Sequence, residues 1–141
     1  MSTFRTSREL PFPTAAVFGA IRDPQRLARW WGPAGFTNSF QTFEFVPGGR
    51  WVFTMHGPDG TNYPNESEFV EIVPEALVRI RHVSPPEFVL SIGLQARGND
   101  RTLVNWEQAF ADAQVAERVR HIVEPSNEQN LDRLTAELSA A

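Results

Sequence analysis

The chain has 141 residues, 41% hydrophobic and 21% charged, with a formal net charge of -4 at pH 7, which fits one globular domain around one core. All 13 basic residues are arginine and there is no cysteine, so a lysine Schiff base, thiol catalysis, thiolate metal sites and disulfides are excluded. The arginines are dispersed and no segment has signal-peptide or bilayer-spanning character, so neither nucleic acid nor a membrane is an expected partner and a cytoplasmic location is expected.

Phe4, Thr6, Arg8 and Leu10 alternate with Thr3, Arg5, Ser7 and Glu9 and predict a first strand, ended by Pro11 and Pro13. Val17, Phe18 and Ile21 fall at helical spacing. Asp23 then caps a second short helix that has Pro24 in its first position and runs through Trp30, until Gly32-Pro33 stops it. The adjacent Trp30 and Trp31 point in different directions, so at most one faces a cavity while the other packs helix on sheet. Residues 36–46, with Phe36, Phe40, Phe43 and Phe45, read as a strand of imperfect alternation before the Pro47-Gly48-Gly49 turn.

Residues 49–69 read as a β-hairpin around Pro58-Asp59-Gly60, where proline presets one turn dihedral and glycine accepts a left-handed one. With Gly57 facing Thr61, Met55 lies opposite Tyr63, Phe53 opposite Asn65, Trp51 opposite Ser67 and Gly49 opposite Phe69, all on one face. Arg50 opposite Glu68, Val52 opposite Glu66, Thr54 opposite Pro64 and His56 opposite Asn62 make the solvent face, with an Arg50–Glu68 ion pair available. The first face is aromatic, with Asn65 and Ser67 set among the rings. That mixture fits a half-buried sheet face or the wall of a small-molecule pocket.

Pro74-Glu75 turns the chain into a strand that sets Ile80 beside Phe69 and His82 beside Ser67, with Arg79 and Arg81 toward water. Two further alternating strands follow Ser84-Pro85-Pro86, joined by Gly98-Asn99-Asp100, with Trp106 across from Ile92. The remainder is helical. Val115, Val119, Ile122 and Val123 form one stripe, Pro125 is expected to break or kink it, and Leu131, Leu134 and Leu138 resume it with Ser126 or Asn127 as a cap. The resulting fold class is α+β: a curved antiparallel sheet wrapped around a long C-terminal helix, with two short helices after the first strand, in a single domain over residues 1–141.

Phe12-Pro13 before Val17-Phe18, Asp23-Pro24, Trp30-Trp31-Gly32-Pro33, Pro47-Gly48-Gly49-Arg50-Trp51, Met55-His56-Gly57-Pro58-Asp59-Gly60 with Tyr63-Pro64-Asn65, His82 with Ser84-Pro85-Pro86, Thr102 with Trp106, and Asn127-Glu128-Gln129-Asn130-Leu131-Asp132-Arg133-Leu134 follow one another along nearly the whole chain. In these the chain resembles the domain homologous to the activator of heat-shock protein 90 ATPase, within the START-like, polyketide-cyclase-like (SRPBCC) helix-grip superfamily. The resemblance implies a cavity between sheet and terminal helix. It implies no single activity, since relatives bind lipids, sterols, hormones or polyketides, some catalyse cyclisation, and the namesake domain assists a chaperone.

The candidate ligand-binding residues are Trp31, Trp51, Phe53, Met55, Tyr63, Asn65, Phe69, His82 and Trp106, the rings and sulfur supplying contact and Asn65 and His82 orienting a polar group. His82 is the one candidate acid or base. Glu71 is its candidate partner if strand alternation holds, and faces out if Ile72-Val73 marks a bulge. His56 reads as a surface residue, and His121 with Glu124, lacking a third ligand, as a solvated helix face. No metal or cofactor pattern occurs, so none is expected. The leading reading is a small hydrophobic-ligand-binding domain, with a homodimer as an available way to close the cavity. The alternatives are a cyclase, dehydratase or hydrolase using His82, and a co-chaperone-like interaction module acting through outer-face residues such as Arg79 and Arg81.

Overall fold

Period-two apolar alternation gives strands and the 3.6-residue stripe gives helices. The computed structural model, which describes residues 2–140, arranges them as β1 (Thr3–Leu10), α1 (Thr14–Arg22), α2 (Pro24–Trp30), β2 (Thr37–Phe43), β3 (Arg50–His56), β4 (Asn62–Val73), β5 (Leu77–His82), β6 (Phe88–Ala96), β7 (Thr102–Phe110) and α3 (Ala113–Ala140). The fold is α+β, and the sheet runs β1-β7-β6-β5-β4-β3-β2, antiparallel throughout. Strands β2 to β7 form a meander, while β1 crosses to β7, with Thr3 opposite Ala109 and Leu10 opposite Thr102.

Local chemistry sets the registers. In the β3–β4 loop the Gly57 N–H donates to the Thr61 carbonyl at 2.8 Å, Gly60 has φ +87°, and Asp59 Oδ1 accepts from the Thr61 N–H at 3.0 Å. Trp51, Phe53 and Met55 consequently stand opposite Ser67, Asn65 and Tyr63. Gly49 is required for a different reason: a Cβ there would collide with the Glu44 carbonyl, while its own carbonyl accepts from the Phe69 N–H at 2.9 Å. The Asp23 cap forms, its Oδ1 accepting from the Gln25 N–H at 3.0 Å.

Three local expectations change. The strand expected over residues 36–46 is β2, Thr37–Phe43, and a bulge between Phe40 and Thr42 accounts for its imperfect alternation. Arg50 reaches diagonally to Glu66 at 3.2 Å, because Glu68 is drawn to Arg81 on β5 at 3.5 Å. Helix α3 runs through Pro125 without a break. Proline forfeits one backbone hydrogen bond, but packing on either side holds the helix together. Val115, Val119 and Val123 pack with Phe4, Phe110 and Ala116, and Leu131, Leu134 and Leu138 with the main core around Trp30, Trp51 and Phe69. Ser126 and Asn127 are therefore interior helical residues rather than caps. No helix among the described residues is long and apolar enough to cross a membrane.

Candidate functional site

Two rows of side chains cross the concave face of the sheet. Trp51, Ser67, His82, Phe88 and Phe110 stand side by side on β3 to β7, and the next row carries Phe69, Ile80, Leu90 and Gln108 on β4 to β7. Alternation points both rows toward α3. Between sheet and helix lies a cavity of about 630 Å³, partly open to solvent. Its floor includes Phe53, Ile80, Leu90 and Trp106, its roof Ile122, Ser126 and Asn130 of α3, and one side Trp31, Pro33 and Phe36 of the α2–β2 loop. Tyr63, 45% exposed, stands at the mouth, its ring 5.9 Å from that of Phe36.

His82 is buried at the end of β5 with both ring nitrogens engaged. Nδ1 is 2.9 Å from the Pro86 carbonyl and Nε2 is 2.6 Å from Asn65 Oδ1, while the Asn65 Nδ2 donates to the Tyr63 carbonyl at 2.8 Å. Its ring stacks on Phe88, centroids 4.5 Å apart and planes within 6°. Burial pushes the imidazole below its ordinary pKa, and the Pro86 and Ser84 contacts oppose that only in part. The two influences couple to Asn65. A protonated ring donates to both acceptors, whereas a neutral ring carrying its proton on Nδ1 requires the Asn65 amide to turn its NH₂ toward Nε2 and surrender the bond to Tyr63.

Glu71 is not beside this histidine. A register shift between Phe69 and Glu71 turns it to the outer face, where it accepts from Arg79 at 2.7 Å. Of the adjacent tryptophans, Trp31 lines the cavity; Trp30 is fully buried, its indole N–H donating to the Ala20 carbonyl at 2.9 Å.

Residues 11–139 match the sequence profile of the family described as Activator of Hsp90 ATPase homolog 1-like protein. The chain belongs to this family. The family's helix-grip fold recurs in solved structures similar to it: a protein from Arthrobacter aurescens, 23% identical with a TM-score of 0.91, covers 99% of this chain and 87% of its own. Another, from Nitrosomonas europaea, is 19% identical with a TM-score of 0.87 and covers 98% and 94%; a third, from Mycobacterium smegmatis, is 20% identical with a TM-score of 0.83 and covers 99% and 92%. No curated protein sequence matches the chain.

In this Activator of Hsp90 ATPase homolog 1-like domain, two motifs far apart in sequence meet at the cavity roof. Asn130 Oδ1 accepts from the Gly32 N–H at 3.2 Å, its Nδ2 donates to the Trp30 carbonyl at 2.9 Å, and Gln129 Oε1 accepts from the Ala34 N–H at 3.1 Å. Gly32 has φ +95°, and a Cβ there would strike the Met55 methyl group. Asn130 and Gln129 thus bind the loop that carries Trp31 and Phe36 to the helix that roofs the cavity.

Seven of the residues expected at the site line this cavity, namely Trp31, Phe53, Met55, Tyr63, Asn65, His82 and Trp106. Trp51 and Phe69 do not. Both are fully buried beneath it, their rings stacked at 5.7 Å and 7°, with Trp31 packed edge-on against Trp51 at 4.9 Å. His56 stays on the outer face between Ser39 Oγ and Asn62 Oδ1, each at 2.7 Å, and His121 is exposed while Glu124 pairs with Arg120 at 3.6 Å. Gln108, Phe88 and Ile122 line the cavity and were not singled out by sequence. For Gln108 the signal existed, a polar residue at an inward position between Trp106 and Phe110. Ile122 carried none, because its place on the stripe looks like that of its packed neighbours.

Proposed function

We propose that this domain binds a small, largely apolar, ring-bearing molecule between its sheet and α3. The observation that carries the reading is the cavity itself: about 630 Å³, walled by Trp31, Phe53, Phe88 and Trp106, is the size and character of a small-ligand site rather than a packing defect. Trp31, Phe53, Met55, Tyr63 and Trp106 supply contact area, and Asn65 with His82 forms a polar corner at one side. That both His82 nitrogens are occupied favours a positioning role for the ring over acid–base chemistry.

The test is titration with N-phenyl-1-naphthylamine, a neutral dye that fluoresces in apolar surroundings. One site per chain is expected, with affinity falling about tenfold in Phe88→Ala as stacking area is lost. Arg79→Ala and Arg81→Ala on the outer face should leave it unchanged. No saturable binding by the unaltered protein, or equal loss from the outer-face variants, would sink the proposal.

A further inference from the structure

The polar side chains on the cavity wall are of two kinds. Asn65, His82 and Asn130 are already hydrogen-bonded within the protein. Gln108 is not. It is 9% exposed, lies on β7 opposite Leu90 of β6 and Phe4 of β1, lines the cavity, and its amide has no hydrogen-bonding partner among the described residues. An inward position between Trp106 and Phe110 that served packing alone would favour an apolar side chain; here the carboxamide instead keeps its amide atoms open to the cavity. A partner molecule that enters the cavity meets this donor and acceptor directly.

The same wall defines what the partner cannot carry. Among the described residues that line the cavity there is no Asp, Glu or Arg, and the chain has no lysine. An ionised ligand would lose its hydration and find no counter-charge. A neutral ligand gives up far less.

Resting on the ligand-binding reading above, we infer that the cavity selects an uncharged ring compound bearing a carbonyl next to an N–H or O–H, the complement of a carboxamide. Gln108 Nε2 donates to the ligand carbonyl and Oε1 accepts from its N–H or O–H, while Leu90 and Trp106 pack against the ring body. This anchor is separate from the His82–Asn65 corner, which lies two strands away across β6, roughly 10 Å at ordinary strand spacing.

Three probes of one shape test it by calorimetry: naphthalene-2-carboxamide, naphthalene-2-carboxylate and 2-methylnaphthalene. The carboxamide is expected to bind about tenfold more tightly than either of the others, and to move the side-chain NH₂ signals of Gln108 in ¹⁵N-labelled protein. Gln108→Met should bring the carboxamide down to the level of 2-methylnaphthalene. Equal binding of all three, a preference for the carboxylate, or Gln108 signals that stay still on carboxamide binding would overturn the inference and leave the ligand-binding reading standing. Failure of all three, 2-methylnaphthalene included, would overturn both.

Discussion

The Arg133 guanidinium donates to five backbone carbonyls: those of Arg29, Trp31, Gly32, Pro33 and Phe36, at 2.8–3.0 Å. Burial lowers its pKa from the ordinary arginine value, yet the group stays charged, and the four N–H groups of its planar Nη1 and Nη2, one of them shared between carbonyls, span a cluster that an ammonium could not. The carbonyls belong to the end of α2 and the loop beyond it, where helical and sheet partners run out. Arg133→Met should destabilise the protein by about 2–4 kcal/mol, read from the urea midpoint, with Arg133→Lys restoring only part. An unchanged midpoint would mean that water satisfies these carbonyls equally well. None of this was legible in the sequence, because an arginine beside a leucine stripe reads as a solvated flank. The Asp59-Gly60 turn was legible, since those side chains act on their own backbone within a few residues.

Helix α3 joins two unequal supports. Its C-terminal half buries Leu131, Leu134 and Leu138 in the main core and is tied to α2 by Glu137, which accepts from Arg26 and Arg29 at 2.8–3.0 Å. Its N-terminal half rests on the smaller cluster of Phe4, Phe110 and Ala116, and Pro125 cannot donate across the junction. Amide hydrogen exchange should therefore be faster over residues 117–124 than over residues 130–138, with Pro125→Ala narrowing the gap. Uniform protection along α3 would contradict this unequal anchoring. The two stripes were readable from spacing; the continuity between them was not, because it depends on what each stripe finds to pack on.

Over the whole molecule, acid erodes the fold in two stages of opposite chemical origin. His82 has a folded pKa below its ordinary 6.5, so as pH falls below that value the unfolded chain takes up a proton that the folded chain resists, and stability drops. Glu137 is held below its ordinary 4.5 by its bond to Arg29, with Arg26 adding to it. Its contribution is present above that value and is lost as pH falls through the folded pKa. Urea midpoints against pH should decline first below about pH 6.5 and again below about pH 4.5; His82→Gln should remove the first descent and Glu137→Gln the second. A midpoint flat from pH 7 to pH 5 would show that His82 titrates alike folded and unfolded. At this scale the meander was legible because each of its strands pairs with its neighbour in sequence, whereas the volume enclosed beneath α3 depends on loop and helix placement that periodicity does not encode. The pairing of β1 with β7, Thr3 opposite Ala109, also has a consequence in time. During synthesis the first strand leaves the ribosome without its partner and, at about 5–20 residues per second, waits about 5–20 s for it. Trp106 and Gln108 arrive on that same late strand. The nascent chain thus possesses most of a sheet before the far wall of its cavity exists, and the cavity is completed only when α3, the last element made, is laid over the strands.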